Sequence, residues 1–167
     1  GLDNIDLDAA ARRGVRVRNV DDYCLAEVAD HAVAAIYAHN RRLTAASRLI
    51  ADRGWTTAGI DRPLPPGVDA VGVAGYGRIG RAAADRLRAL GFPVHAWDPY
   101  VTSWPADVVA HDTLGDLAGA VNHLTLHVPT VEATRGLVDA AVLDALGPQG
   151  HLVNTARGAL VDEQALR

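Results

Sequence analysis

Six residues, Gly75-Tyr76-Gly77-Arg78-Ile79-Gly80, constrain this chain more than any other stretch. They follow an apolar run, Val71 to Gly75, and open a segment of helical period, Arg78 to Leu90, that is closed by Gly91. Glycines spaced G-x-G-x-x-G at a strand-to-helix corner meet three separate steric demands. Gly75 permits a tight turn, Gly77 leaves main chain bare of a Cβ where an anion must come close, and Gly80 lets the helix lie against the strand. The N–H groups of Arg78 and Ile79 stand at the positive end of a helix dipole, a setting for a diphosphate, and Arg78 can add its own charge.

A second residue completes the pattern. Asp98 ends the next apolar segment, Val94 to Trp97, 21 residues after Gly77. An acid at that point accepts hydrogen bonds from the two hydroxyls of an adenosine ribose. It also opposes a 2′-phosphate: unit charges about 4 Å apart repel by roughly 4 kcal/mol at an effective dielectric near 20. The following Pro99 and Tyr100 supply no cation to relieve that repulsion, so the pattern favours NAD over NADP. The plainer alternative is a glycine-rich turn with an aspartate that merely caps a helix.

Downstream, strand and helix patterns alternate. Val108 to Ala110 predicts a third strand and Thr113 to Ala118 a short helix. Val121 to Val128 predicts a fourth strand, Asp139 to Leu146 a helix, His151 to Asn154 a fifth strand, and Asp162 onward a further helix. Alternation of this kind implies an α/β fold, a Rossmann-type doubly wound parallel sheet with helices on both faces, truncated at its C-terminal end. Upstream, valines alternate with arginines from Val15 to Arg18 as on a half-exposed strand. Asp21 and Asp22 offer N-cap oxygens to a helix from about Tyr23 to Leu49, whose stripe is Leu25, Val28, Ala29, Ala32, Val33, Ile36 and Tyr37. Gly54 to Gly67, with three prolines and three glycines, reads as a linker in which Trp55 anchors against the fold.

Composition excludes several classes. The chain has 167 residues, about one domain by length, with 49% hydrophobic and 22% charged residues, a soluble globular balance. A net charge of −4 gives no electrostatic case for a nucleic-acid partner. No apolar run is long enough to span a bilayer, and the start does not read as a signal peptide. A lone cysteine, Cys24, excludes an internal disulfide and a cysteine-based metal cluster, which suits a cytoplasmic setting. The chain has no methionine, so it reads as an internal piece of something longer.

Five blocks together make the sequence resemble the D-isomer-specific 2-hydroxyacid dehydrogenases, nearest the C-terminal-binding-protein-like branch. They are Gly1 to Asp6; Asp22-Tyr23-Cys24 through His31; Gly75 to Gly80 with Asp98-Pro99-Tyr100; Leu126 to Pro129 with Thr134-Arg135; and Asn154 to Gly158 followed by Val161-Asp162-Glu163. The last is the most specific. The resemblance implies residues 1–22 as the tail of a substrate domain and 23–167 as an NAD-binding domain lacking its last strands. Its first helix would cross between domains and join a homodimer interface. Hydride would pass between NAD(H) and a small D-2-hydroxy or 2-keto acid. Arg157 matches the family's catalytic arginine, whose planar guanidinium suits a carboxylate and a keto oxygen. Thr155 and Ala156 would line the nicotinamide end, and Val128, Pro129 and Thr134 the cofactor cleft, with His127 beside it.

The family's acid–base histidine and its orienting glutamate have no match up to Arg167. A reduction needs a proton donor, so the resemblance implies that this polypeptide alone is catalytically inactive. Two other roles remain open: an NAD(H)-sensing dimeric regulator of the corepressor type, or a relative such as a phosphoglycerate or formate dehydrogenase. No metal site is expected, because His123 and His127 have no third ligand nearby. His31 reads as an interface residue, and His39, His95, His111 and His151 carry no motif.

Overall fold

The structure is a computed structural model that describes every residue except Gly1, Asp21, Arg53 and Thr57. Its centre is a sheet of five parallel strands, β1 (Val71–Ala74), β2 (Val94–Trp97), β3 (Val108–Ala110), β4 (His123–Leu126) and β5 (His151–Asn154). They lie in the order β3-β2-β1-β4-β5, so the order reverses between β1 and β4. The glycine-rich loop leaves the central strand at that reversal, where open α/β sheets bind their ligands.

Period-two alternation explains how these strands build two cores. Val71, Val73, Val94, Ala96 and Val153 face one side with Ala29, Ala32, Val33 and Ile36 of α2 (Leu25–Asn40) and Ala83, Ala84 and Leu87 of α4 (Arg78–Ala89). Ala74, Leu124 and Leu126 face the other, against Leu114, Leu117 and Ala118 of α5 (Leu114–Gly119) and Val142 of α6 (Ala140–Leu146). Gly72 turns toward this second face, where an added Cβ would press on Leu117 and Val121 at 3.0–3.1 Å. The helix predicted to open near Thr113 is capped by its hydroxyl, and Asp139 caps α6 in the same way.

Several expectations need correction. The Val15 to Arg18 stretch forms no strand: among the described residues no strand pairs with it, and Val15 stays exposed. Ahead of it lies a helix not foreseen, α1 (Leu7–Arg12), whose first turn is capped by Asp6 through the Ala9 N–H at 2.7 Å. The long helix breaks at Arg41 and Arg42, where Arg42 adopts φ 56° and α3 (Leu43–Ala51) begins. Buried Asn40 fixes the break by donating to Leu64 O and to Asp69, which pins this helix end to the segment entering β1. Asp22 caps nothing, since α2 starts after Cys24 in a left-handed conformation; Asp21 lies outside the described residues. Trp55 is 93% exposed rather than anchored, since it borders only an open surface hollow with Ala46, Ile50 and Ile60. The fourth strand spans only His123–Leu126, and turns replace a helix after Asp162, whose side chain accepts from Gln164 N.

The parallel register sets His123 beside His151 at the start of the sheet. Their rings hydrogen-bond at 3.1 Å, His123 also contacts Asp69 at 2.8 Å, and His39 stacks on His151 at 4.0 Å. Just beyond the opposite end of β4, half-buried His127 lies beside buried Thr125. Burial holds the His127 imidazole down to about 4, and burial with nearby His39, His123 and Arg42 holds His151 to about 4. His39 and His95 are lowered too, first by burial. Groups depressed in the folded state stabilise it fully above their unfolded value of 6.5, and that stability is lost as pH falls toward 4. After solvent screening the loss by pH 5 is on the order of 2 kcal/mol, or roughly 5 °C in Tm. Thermal melts from pH 8 to pH 5 check this; a Tm that rises on acidification contradicts it.

Candidate functional site

Sterics build the loop between β1 and α4. Gly75 sits at φ 90°, and a Cβ there would come within 2.8 Å of the His127 carbonyl and of Val128 Cγ1. The exit of β4 therefore passes directly behind the loop. At Gly80 a Cβ would overlap the Gly75 carbonyl oxygen, so only glycine lets the first turn of α4 rest on the end of β1. At Gly77 the opposite holds: a Cβ added there would meet nothing within 4 Å, and the residue faces solvent. Open space thus stands directly in front of the first turn of α4, whose N–H groups at Arg78 and Ile79 have no partner within the helix. The exposed Arg78 side chain has no hydrogen-bond or ion-pair partner among the described residues.

Asp98 is tied to this loop. Its Oδ2 accepts from the Tyr76 N–H at 2.8 Å, and its Oδ1 accepts from the Tyr100 N–H at 2.9 Å. Each oxygen keeps a lone pair for another donor. The Tyr76 ring is buried against Trp104 at 5.1 Å, beneath the Arg81 guanidinium, so it serves the core and only its main chain borders the loop. Burial raises its phenol above the ordinary value. Pro99 is exposed beside Asp98.

The loops after β4 and β5 form the other wall. Val128 packs into the second core with Leu126. The Thr134 hydroxyl donates to Pro129 O at 2.7 Å and accepts from Val131 N at 2.9 Å, so it shapes the 129–134 turn. His127 meets Thr125 at 3.1 Å, and its depressed pKa leaves it uncharged at neutral pH. Two hydroxyl oxygens, of Thr130 and Thr155, are buried with no partner among the described residues. Buried polar atoms are satisfied as a rule. Free helix N–H groups, a glycine cradle open in front of them, a carboxylate behind it and orphaned hydroxyls on the facing loops fit a dinucleotide.

Beyond β5, Asn154 braces the turn that carries Arg157: its Nδ2 donates to Arg157 O at 2.8 Å and its Oδ1 accepts from Ala156 N at 3.0 Å. Arg157 donates through Nε and Nη2 to the two oxygens of Asp3, at 2.7 and 3.0 Å, and through Nη1 to Ala156 O at 2.8 Å. Arg157 holds the Asp3 carboxyl down at about 2, and Asp3 raises the arginine in return. Sequence reasoning assigned no role to Asp3, Thr130 or the side chain of Asn154. Asp3 and Asn154 stand inside two of the blocks that carry the family resemblance, a signal that was present; Thr130 carried none.

Residues 33–167 match the family model for the D-isomer specific 2-hydroxyacid dehydrogenase, NAD binding domain. The chain is 38% identical over 168 residues to a D-3-phosphoglycerate dehydrogenase of Mycobacterium tuberculosis, covering 99% of this chain and 32% of that protein. It is equally 38% identical to a glyoxylate/hydroxypyruvate reductase of Arabidopsis thaliana, covering 53% of it. Among solved structures, a D-lactate dehydrogenase from Aquifex aeolicus complexed with NAD and lactic acid superposes with a TM-score of 0.87 at 27% identity, over 99% of this chain and 50% of that one. The chain thus spans about a third to about half the length of these proteins.

The two glycines give opposite expectations. Gly77→Val places its side chain in the open cradle, so Tm should hold while NAD affinity, read by calorimetry, falls at least ~10-fold, about 1.4 kcal/mol. Gly80→Val should instead cost the fold, read as loss of the cooperative melt. Unchanged NAD affinity in Gly77→Val contradicts the assignment.

Proposed function

Since the chain belongs to the D-isomer specific 2-hydroxyacid dehydrogenase family, through its NAD-binding domain, we propose that the protein containing it is an oxidoreductase that moves hydride between NAD(H) and a small D-2-hydroxy or 2-keto acid. One observation carries the reading: Asp98 grips the Tyr76 N–H of the very loop whose next amides, at Arg78 and Ile79, are free. In this reading those amides and Arg78 hold the diphosphate, and Gly75, Gly77 and Gly80 shape its seat. Asp98 holds the adenosine ribose, with Pro99 beside it. Val128 and Pro129 border the cleft and Thr134 keeps its wall in shape. Thr155, with its orphaned hydroxyl, and Ala156 lie toward the nicotinamide, and His127 stands by as a neutral neighbour. The bound dinucleotide supplies or accepts the hydride. Arg157 is the residue assigned to the substrate's carboxylate and keto oxygen, because a planar fork can engage both at once.

Residues 1–22 are read as the tail of a substrate domain and 23–167 as the cofactor domain. A homodimer through the segment before β1 is supported by the exposed apolar side chains of Tyr23, Leu43, Ile50 and Trp55. No helix among the described residues is long and apolar enough to cross a membrane, which accords with a cytoplasmic enzyme. The relatives named above are dehydrogenases and reductases, which favours catalysis over a corepressor-type NAD(H) sensor. They likewise lend no specific support to the C-terminal-binding-protein-like branch.

Cofactor choice tests the reading. Removing the carboxylate in Asp98→Ala should weaken NAD binding at least ~10-fold, about 1.4 kcal/mol, and narrow the preference for NAD over NADP. Titration of both dinucleotides measures it. Unchanged affinity for each would remove Asp98 from the ribose site.

A further inference from the structure

The side chain of Arg157 is fastened on one edge only. A guanidinium has five N–H donors arranged as two forks and one outer N–H. Asp3 occupies the fork made by Nε and Nη2, and Ala156 O takes one N–H of Nη1. One N–H on Nη1 and one on Nη2 remain. Among the described residues nothing accepts from either, so the Nη1–Nη2 end of the guanidinium keeps two unspent donors. The Arg157 side chain is 47% exposed, so a small anion can approach the guanidinium from solvent. The clamp also joins parts of the chain far apart in sequence, since Asp3 precedes α1 and Arg157 follows β5.

We propose that Asp3 is the positioning residue for Arg157, holding the Nε–Nη2 edge so that the Nη1–Nη2 end is presented to the carboxylate and keto oxygen of the substrate. The inference rests on the role given to Arg157 above. An unclamped arginine has many rotamers, and a substrate would have to order the guanidinium as it bound. Held by two bonds to Asp3, one to Ala156 and a turn braced by Asn154, the guanidinium plane is set beforehand. Preset geometry of this kind lowers both the cost of binding and the barrier. Asp3 does not compete for the substrate, because it uses the edge that the substrate does not need. It keeps its negative charge throughout the neutral range, since Arg157 holds its carboxyl at about 2.

The test uses the whole protein with whatever residues its gene places around this stretch. Asp3→Asn is isosteric but turns one acceptor into a donor that opposes the guanidinium, so the fork loses its match without a change in shape. With NADH and a 2-keto acid such as hydroxypyruvate or pyruvate, kcat/KM should fall by about 10²-fold, through both a raised KM and a lowered kcat. The Kd for NADH and the Tm should stay within about twofold and about 2 °C of the parent. Arg157→Ala should be at least as damaging, and Asp3→Asn should add almost nothing to it. If Arg157→Ala abolishes turnover while Asp3→Asn leaves kcat and KM unaltered, the positioning role is overturned and the assignment of Arg157 survives. If Arg157→Ala itself turns over normally, that assignment fails and the positioning role goes with it. A fall in Tm that accounts for the whole loss of activity also overturns the proposal.

Discussion

The Gly75 carbonyl, pressed between the end of β1 and the first turn of α4, is the contact on which the rest of this structure depends. Only a residue without a Cβ can occupy position 80 against it, and only a residue at φ 90° can turn the chain away beneath the exit of β4. That closeness sets α4 with its N-terminus aimed across the top of the sheet and its leading amides unspent. It also brings the Tyr76 N–H to the end of β2, where Asp98 takes it. A loop that looks like a flexible stretch of glycines is therefore held on both sides, and the space in front of Gly77 is kept clear by the same packing.

The second half of the site uses side chains for what the first does with main chain. Asn154 fixes the turn after β5, Asp3 fixes the arginine that the turn carries, and the Thr134 hydroxyl fixes the loop after β4. Each is a direct hydrogen bond to a group that would otherwise move, and together they frame the orphaned hydroxyls of Thr130 and Thr155. The cluster of His39, His123, His151 and Asp69 lies at the opposite end of the sheet from the glycine loop. Its His39 and His151, together with His127 at the other end of β4, are where acid enters the stability of the fold.

What could be read from the chain follows from the range of the forces involved. β2, β3 and β5 begin and end where their apolar patterns say, since buried parallel strands are marked by nothing but local hydrophobicity. The glycine loop and Asp98 were legible because spacing alone brings them together in a βαβ unit. The break after Asn40 was not, because it depends on a bond to Asp69 on the far side of the linker. The valine–arginine alternation at 15–18 has strand character but no partner strand among the described residues, and strand propensity counts for little without one. The Arg157–Asp3 clamp and the histidine cluster also required the fold, since neither pattern nor spacing announces a contact between distant segments.

The central claim is that a dinucleotide's diphosphate rests on the main chain at the entrance to α4. Amide NMR of the protein titrated with NAD tests it directly. Large, saturable shifts are expected at the Gly77, Arg78 and Ile79 amides, with little change at His39 and His151 across the sheet. Saturation of binding with those three amides unmoved would contradict it.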